Sequence, residues 1–296
     1  MPTKLDFMSI ASTPQENLLH FMATAKRLKK QHKQTGQNDP LAKGKVLVCV
    51  YEKPSLRTRV SFETAMYHLA GNAIYLSPSE VGLGTRESVP DVARVLSGLS
   101  DGIMARVFEQ QKIHDLAQYA SVPVINGLSN DTHPCQAMGD LLTIEEHFGK
   151  LDGLTIAYIG DGNNVARSLR AACERFNVNF RMSAPPGYEL ENQPACPDPQ
   201  GIVKDADVIY TDTWVSMGQE AQTNERLSIF RPYQVNAALL KLAPRHAMVM
   251  HCLPANRGLE ITDDIMDGPQ ALVFKQAENR LHFQKGLLAV LLCGVS

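Results

Sequence analysis

Short runs of consecutive apolar residues recur along this chain, and segments with helical spacing lie between them. The runs lack the apolar–polar alternation of a strand with one face in water. Unbroken apolar strands are typical of parallel sheets that helices cover on both faces, so the sequence predicts an α/β fold with doubly wound parallel sheets. The strand candidates are residues 45–51, 73–76, 102–105, 123–125, 154–159, 178–182, 207–210 and 248–250.

The strand candidates fall into two groups that separate near residues 126–133, and 296 residues are enough for two domains of common size. We therefore expect a first domain of residues 1–130 and a second of residues 131–276, joined by bridging helices. A helix over 135–148 is expected to be one bridge. The amphipathic C-terminal segment, within residues 277–296, is expected to pack back on the first domain. The proline-rich stretch 184–200 predicts a surface loop.

The composition excludes several classes of protein. Hydrophobic residues make up 44% and charged residues 20%, and the net charge of −2 gives no support for binding nucleic acid or a membrane surface. No apolar run approaches the roughly 20 residues of a membrane span. The amino terminus lacks the layout of a secretory or organelle-targeting signal. The 6 cysteines show no metal-binding spacing and predict reduced thiols. We expect a cytoplasmic protein without metal or cofactor.

Polar residues follow many of the strand candidates. In parallel α/β sheets, ligands bind beyond the carboxyl ends of the strands, so these residues are candidates for a functional site. Each has an ordinary structural explanation by itself, and it is their shared position that favours function. They are residues 55–59, Arg106, His133, residues 160–164, Asp212 and residues 251–252.

The segment Ser55-Leu56-Arg57-Thr58-Arg59 combines a helix start with two cations. Ser55 is a good N-cap. The first turn of a helix has unpaired N–H groups and a partial positive charge, so Arg57 and Arg59 oppose the helix dipole there. A bound anion relieves that conflict, and a phosphate suits the geometry. Two solvated surface arginines are the alternative, but the whole cluster favours an anion site.

Two further positions have functional and structural explanations of equal weight. Arg106 ends an apolar strand, where an arginine needs water or an anion, and a surface ion pair also explains it. The segment His133-Pro134-Cys135-Gln136 opens the predicted bridging helix, and proline suits the first helical position. A helix-capping role for His133 is as well supported as a ligand-binding one.

The segment Gly160-Asp161-Gly162-Asn163-Asn164 lies between a strand and a helix and is superficially like a dinucleotide-binding loop. The third glycine of that motif is absent, and no clear acidic residue ends the next strand. The two asparagine amides instead suit the backbone of an amino acid.

Two other segments of the second group carry reactive side chains. Residues 212–218, Asp-Thr-Trp-Val-Ser-Met-Gly, bring a carboxylate, a hydroxyl and a glycine-ended turn to one rim, which favours a site for a cationic amine. A lid loop and a plain turn both fit this segment. Residues 251–254, His-Cys-Leu-Pro, place Cys252 in a proline-bounded turn. Buried inert cysteines are commoner than reactive ones, but this placement favours function.

Together these motifs resemble the transcarbamylase family, and its ornithine branch most closely, over nearly the whole chain. Residues 55–59 and 133–136 match the carbamoyl phosphate motifs that the family shares. Residues 212–218 and 251–254 match the ornithine branch, and residues 123–128 and 276–282 are also similar to it. The resemblance implies two parallel α/β domains and a homotrimer, or a multiple of trimers, with active sites at subunit boundaries.

The resemblance also implies a reaction and its residues. The carbamoyl group of carbamoyl phosphate would pass to the δ-amine of L-ornithine, giving citrulline and phosphate without a cofactor or a metal. Thr58, Arg106 and His133 would reach the carbonyl oxygen, and Asp212 and Cys252 would lie near the reacting amine. Carbamoyl phosphate would be bound by Ser55, Leu56, Arg57, Thr58, Arg106, His133, Gln136, Cys252, Leu253 and Arg280, and ornithine by Asn164, Asp212, Ser216 and Met217.

The chain departs from the family pattern at two places. Gly82 stands where the family often has a glutamine or histidine that reaches a neighbouring subunit's phosphate, and residues 184–205 form a shorter segment than usual. Alternatives to ornithine are another amine acceptor, such as putrescine or an acylated ornithine, or a catalytically silent binding or regulatory protein. The alternative of a nucleotide-binding oxidoreductase is supported only by Gly160 and Gly162.

Overall fold

The computed structural model describes residues 4–215 and 223–295, and the chain forms two compact units. The first unit comprises Met1–Leu142 and Asn279–Ser296, and the second comprises Thr143–Glu278. Each unit contains one parallel sheet with helices between its strands, which confirms the predicted α/β fold class. The C-terminal residues belong to the first unit, as the amphipathic pattern predicts.

The first unit contains a parallel sheet with the strand order β2-β1-β3-β4. After β1 the chain forms β2 on one side, and it then returns to form β3 on the other side of β1. The elements are α1 Gln15–Thr35, β1 Val46–Tyr51, α2 Leu56–His68, β2 Asn72–Leu76, α3 Pro78–Val81, α4 Val89–Leu99, β3 Gly102–Arg106, α5 Gln110–Tyr119, β4 Val124–Leu128 and α6 Pro134–Phe148.

The reversal of strand order in the first sheet lies between β1 and β3. Tyr51 pairs in register with Arg106, so the carboxyl ends of these two strands are adjacent. Such a switch point leaves a crevice where the two connections diverge, which is where open α/β sheets bind ligands. The segment 52–59 and Arg106 both lie at this point.

The second unit contains a five-stranded parallel sheet with the order β7-β6-β5-β8-β9. Helices α6 and α12 each include residues of both units. The elements are β5 Thr155–Ile159, α7 Asn164–Arg175, β6 Asn179–Ser183, β7 Ala195–Cys196, α8 Pro199–Val203, β8 Val208–Thr211, α9 Thr223–Phe230, a 3₁₀ turn Arg231–Tyr233, α10 Ala237–Leu240, β9 Met248–His251, α11 Asp263–Met266 and α12 Val273–Cys293.

The second sheet reverses its order between β5 and β8. Ile159 pairs in register with Thr211, and the Thr211 hydroxyl donates a hydrogen bond of 2.8 Å to the Ile159 carbonyl. Gly160 and Asp212 follow these residues directly. The two units therefore each have candidate site residues at a topological switch point.

Every residue of β3, β4, β5, β8 and β9 is buried, as expected for strands covered on both faces. In the first unit, Val48, Ile103 and Val124 pack with apolar residues of α4 and α5. In the second unit, Ile159, Ile209 and Val249 belong to a second cluster. Each sheet thus has its own hydrophobic core.

The stretch 184–200, predicted as a surface loop, contains regular structure at its end. Ala195–Cys196 forms β7 by pairing with Met182 and Ser183 of β6, and Pro199 begins α8. A two-residue strand is too short to show apolar periodicity, so the sequence pattern alone does not reveal it. Among residues 4–215 and 223–295, no helix combines the length and apolar character needed to cross a membrane.

A cluster of cationic and imidazole side chains joins three helices of the first unit. The rings of His32 in α1 and His68 in α2 stack with centroids 4.1 Å apart. Lys285 of α12 is fully buried, and its amine donates to the Asn38 side-chain oxygen at 2.8 Å. Burial, with smaller contributions from the charges of His32 and Lys285, lowers the pKa of His68 to about 4. Burial likewise lowers the pKa of His32.

These histidines predict a loss of stability in mild acid. The unfolded chain takes up a proton at His68 below about pH 6.5, whereas the folded chain takes it up only near pH 4, so stability falls as the pH falls between these values. Between pH 7 and pH 5, the free energy of unfolding of His68→Asn is expected to fall by about 1 kcal/mol less than that of the wild type. Partial solvation of His68 makes this difference smaller than the full pKa shift implies. Urea unfolding at both pH values measures this difference.

The matched control is His114→Asn, which changes an exposed histidine of α5 and should keep the wild-type dependence on pH. Equal losses of stability in the wild type and in His68→Asn would show that His68 does not carry the effect.

Candidate functional site

The start of α2 is built as the sequence predicts. Ser55 is the N-cap, with extended backbone, and its hydroxyl oxygen accepts the Thr58 N–H at 3.3 Å. The first turn holds no acidic residue. Arg57 therefore adds a positive charge to the positive end of the helix dipole, an arrangement that favours a bound anion.

The two arginines of this turn have different surroundings. Arg59 is exposed; its Nε donates to Glu63 at 2.9 Å, and its guanidinium lies 4.0 Å from the centre of the Tyr75 ring. Arg57 is half-buried and close enough to His133 for its charge to act on that imidazole. Arg57 is consequently the better candidate of the two for contact with a ligand.

Several cationic side chains of the first unit lie close enough to His133 for their charges to act on it. Its side chain is 5% exposed, as is that of Arg106. Burial holds the pKa of His133 well below its usual range, and the charges of Arg280, Arg106, Lys53 and Arg57 add to this effect. The imidazole is therefore neutral at pH 7, and it can donate an N–H to a ligand oxygen without carrying charge.

Gln136 of α6, Arg280 of α12 and Thr58 of α2 form one hydrogen-bonded chain. Arg280 donates from Nη1 to the Gln136 side-chain oxygen at 2.8 Å and from Nη2 to the Thr58 hydroxyl oxygen at 3.2 Å. All three side chains are buried. The structure thus brings together Thr58, Arg106, His133, Gln136 and Arg280, which the resemblance assigned to one ligand.

Lys53 also belongs to this cluster, although it is not one of the residues predicted from the sequence. Its side chain is buried, its amine donates to the Asn130 side-chain oxygen at 2.8 Å, and it lies 4.5 Å from the centre of the Phe108 ring. Burial and the charge of Arg106 lower its pKa to about 8. Its position between β1 and the Ser55 cap was the signal that could have identified it.

Gly82, the departure from the family pattern, has a backbone reason to be glycine. It ends α3 with a φ of 54°, in the left-handed region that favours glycine. A Cβ atom at this position would lie 2.7 Å from the Arg86 Cβ. A glutamine or histidine side chain is therefore incompatible with this turn as it is folded here.

In the second unit, the Asp212 carboxylate receives hydrogen bonds from segments that follow three strands. Asn163 Nδ2 donates to Oδ2 at 2.7 Å, while the Cys252 thiol and the Thr213 N–H donate to Oδ1 at 2.9 and 2.8 Å. Asp212 is 6% exposed. The carboxylate is held in one orientation at the switch point of the sheet, which suits it to orient a cationic ligand.

The two neighbouring asparagines have separate positions. Asn163 caps α7, since its side-chain oxygen accepts the N–H groups of Val165 and Ala166, and its amide nitrogen contacts Asp212. Asn164, the residue assigned to ornithine, is the first residue of α7 and is partly buried. The contact of Asn163 with Asp212 was not predicted, because an N-cap position alone does not reveal it.

The segment after Asp212 is held at Trp214, and the predicted ligands Ser216 and Met217 lie outside the described residues. Trp214 is 2% exposed and stacks on Phe230 with ring centroids 6.0 Å apart. Arg226 donates to the Trp214 carbonyl at 2.6 Å and forms an ion pair with Asp161. Arg226 therefore connects the Trp214 backbone to the loop that follows β5.

His251 supports the turn that carries Cys252 and Leu253. Its Nδ1 accepts the Leu253 N–H at 2.9 Å, and its Nε2 faces a Glu260 carboxylate oxygen at 3.1 Å. Ligating atoms of Asp212, His251 and Cys252 lie within 4.8 Å of one another, a spacing compatible with a metal ion. Both ring nitrogens of His251 already have hydrogen-bond partners, so this set is better suited to shaping the turn.

Comparisons with known proteins identify two family domains in this chain. Residues 5–146 match the family model "Aspartate/ornithine carbamoyltransferase, carbamoyl-P binding domain", and residues 152–291 match "Aspartate/ornithine carbamoyltransferase, Asp/Orn binding domain". The ornithine carbamoyltransferase of Pyrococcus abyssi is 48% identical over 98% of this chain and 96% of its own length. That of Bacillus subtilis is 47% identical, over 97% of this chain and 93% of its own length.

Solved structures lead to the same family. The ornithine carbamoyltransferase of Pyrococcus furiosus superposes with a TM-score of 0.94 at 45% identity, covering 99% of this chain and 98% of that one. The Thermus thermophilus enzyme gives a TM-score of 0.89 at 41% identity, covering 99% of both chains. The resemblance found in the sequence is confirmed, and the chain belongs to the aspartate/ornithine carbamoyltransferase family.

Proposed function

We propose that this protein transfers the carbamoyl group of carbamoyl phosphate to the δ-amine of L-ornithine, giving L-citrulline and phosphate. The observation that carries the proposal is the cluster around neutral, buried His133, where buried Arg106 and Arg280 and half-buried Arg57 supply positive charge. Relatives of 46–48% identity named ornithine carbamoyltransferase support the same activity.

The first unit is proposed to bind carbamoyl phosphate. Arg57 and the backbone N–H groups of Ser55 and Leu56 would bind the phosphate, with Gln136 and Arg280 beside them. Thr58, Arg106 and His133 would donate to the carbonyl oxygen as negative charge develops there. A well-placed donor of this kind typically contributes about 3–4 kcal/mol to transition-state stabilisation.

The second unit is proposed to bind ornithine through Asn164, Asp212, Ser216 and Met217. Cys252 and the Leu253 carbonyl would lie near the reacting amine and the carbamoyl group. An alkyl ammonium has a pKa of about 10.4, so presenting the neutral amine at pH 7 costs roughly 4–5 kcal/mol. Asp212 accepts a hydrogen bond from the Cys252 thiol, and we propose that it receives the proton of the ammonium or passes it on.

The chemistry then follows from these positions. The amine nitrogen attacks the carbonyl carbon, the bond between that carbon and the bridging phosphate oxygen breaks, and phosphate leaves towards Arg57. The Asp212–Cys252 pair takes the first proton of the ammonium before the attack, and the leaving phosphate takes the second proton from the nitrogen after it. The residues named supply each of these functions themselves, so we propose a reaction without cofactor or metal.

Assembly and cellular role are also proposals. We propose a homotrimer or a multiple of trimers. Exposed apolar side chains lie on the first unit at Leu56, Val60 and Tyr67 of α2 and at Ile74 of β2, and they support association with further copies of the chain. Light scattering after gel filtration tests this, and a monomeric mass would contradict it. We propose a cytoplasmic enzyme of arginine biosynthesis, and a relative of 46% identity named "Ornithine carbamoyltransferase, anabolic" supports that direction.

The test of the function is a comparison of amine acceptors at saturating carbamoyl phosphate. Ornithine, putrescine and an acylated ornithine are assayed side by side for carbamoylated product. Ornithine is expected to have the highest kcat/KM. A higher kcat/KM with putrescine or the acylated compound would show that ornithine is not the preferred acceptor. If no amine gave a product, a catalytically silent protein would be favoured.

Trp214 gives a prediction about the acceptor site. Its indole is buried and stacked on Phe230, so emission of the ligand-free protein should lie at short wavelength. Norvaline, an ornithine analogue without the δ-amine, is expected to shift this emission when carbamoyl phosphate is bound and much less without it. Fluorescence titration measures the shift. If norvaline leaves the Trp214 emission unchanged at saturating carbamoyl phosphate, a preformed site would be favoured.

A further inference from the structure

We propose that Asp140 of α6 is a positioning residue that sets the direction of the hydrogen bonds from Gln136 through Arg280 to Thr58. The inference deepens the proposed function, because Thr58 is one of the donors assigned to the carbonyl oxygen. Asp140 belongs to none of the motifs from which the site was assigned.

Asp140 lies one helical turn after Gln136 and is fully buried. It accepts a hydrogen bond of 2.8 Å from Gln136 Nε2. An ionised carboxylate can only accept hydrogen bonds. Asp140 therefore requires the NH₂ group of Gln136 to face it.

The orientation of the Gln136 amide determines what Arg280 meets. A glutamine amide can rotate by half a turn and exchange its donor and acceptor ends. With the NH₂ group at Asp140, the carbonyl oxygen faces Arg280 and accepts from Nη1 at 2.8 Å. A reversed amide would place its NH₂ group against a guanidinium, which can only donate.

Arg280 extends this direction to Thr58. Its Nη2 donates to the Thr58 hydroxyl oxygen at 3.2 Å. The hydroxyl has one proton, and an arginine cannot accept it. Within the part of the chain that the structure describes, the Thr58 hydroxyl donates to no residue, so its proton is left to donate to a ligand oxygen.

The donor-to-acceptor direction of this series of hydrogen bonds is thus set by an acceptor-only group at Asp140, and the series ends at a hydroxyl that can donate. Without the Asp140 acceptor, the Gln136 amide could reverse and Arg280 could shift away from Thr58. The contacts of Thr58, Gln136 and Arg280 with carbamoyl phosphate would weaken, while the residues proposed to bind ornithine would be unchanged. The inference therefore predicts an effect on carbamoyl phosphate that is much larger than the effect on ornithine.

The test uses two single variants and their combination. Asp140→Asn removes the acceptor-only group and should raise KM for carbamoyl phosphate by about tenfold, with KM for ornithine changed by less than about threefold. Gln136→Glu places two buried carboxylates together and should lower kcat/KM for carbamoyl phosphate by about a hundredfold.

The double variant Asp140→Asn with Gln136→Glu reverses the donor and the acceptor of the pair. The new amide at position 140 then donates to the new carboxylate at position 136, and that carboxylate accepts from Arg280, so the direction towards Thr58 is restored. We expect kcat/KM to recover by about tenfold over the Gln136→Glu variant, and a double-mutant cycle to show strong coupling. Additive losses would overturn the inference.

Two further measurements keep the outcomes distinct. Circular dichroism and thermal unfolding identify variants that fail to fold, and a destabilised Asp140→Asn with normal KM values below its melting point would show a structural role only. Calorimetry measures the affinity for carbamoyl phosphate, so it tests the role of Asp140 even if ornithine is not the acceptor. A failure of the proposed function is then distinguished from a failure of this inference. Glu146→Gln in the same helix is the control, and it should keep wild-type affinity.

Discussion

Replacing Arg57 by alanine is expected to lower kcat/KM for carbamoyl phosphate by about a thousandfold, equivalent to about 4 kcal/mol of transition-state stabilisation. Arg57 lies in the first turn of α2, which holds no acidic residue. A guanidinium can bind a phosphate through two parallel hydrogen bonds, and it would stabilise the leaving group as the bond to carbon breaks. Steady-state kinetics with varied carbamoyl phosphate measure the loss.

The matched control is Arg59→Ala, two residues further along the same helix. Arg59 is paired with Glu63 and stacked on Tyr75 at the surface, so its removal should change kcat/KM by less than about threefold. Circular dichroism should show both variants folded. Near-normal kinetics in Arg57→Ala, or equal losses in both variants, would remove Arg57 from the phosphate site.

The second large effect is expected for Asp212→Asn, which should lower kcat/KM for ornithine by about a hundredfold or more. The amide has no negative charge to attract a cationic amino acid or to take up its proton. Its NH₂ group would also face one of the donors now directed at the carboxylate from Asn163, Cys252 and Thr213. Kinetics with varied ornithine at saturating carbamoyl phosphate measure the effect.

Two comparisons make this prediction specific. Calorimetric affinity for carbamoyl phosphate should stay within about threefold of the wild type in Asp212→Asn, because Asp212 is not among the residues proposed to bind carbamoyl phosphate. Asp205→Asn, which alters an exposed carboxylate paired with Arg181, should leave all kinetic constants unchanged. Full activity with ornithine in Asp212→Asn would contradict the role proposed for this carboxylate.

The fold could be predicted because its signals are local. Unbroken apolar strands require cover on both faces, and the residues of β3, β4 and β5 are indeed all buried. Ser55 caps α2 as its residue type predicts, since a serine side chain can reach the third N–H after it whatever the rest of the chain does. Such interactions span a few residues and follow from neighbouring positions.

Short elements escaped the same reasoning. The two-residue strand β7 forms only because β6 offers it a partner, and nothing in the apolar pattern of residues 184–200 indicates it. The backbone at Gly82 is a related case. The family pattern identifies the position, but the left-handed turn that excludes a larger side chain is visible only in the folded loop.

The sequence by itself determined the two parallel α/β units and the motifs at the ends of their strands, because periodicity, caps and strand ends are local properties. Only the tertiary structure decided which of those residues meet. Arg280 reaches Thr58 across 222 positions and Gln136 across 144, and Asp212 meets Asn163 across 49. Contacts of this kind depend on strand order, register and helix packing, and the burial that neutralises His133 follows from the same packing.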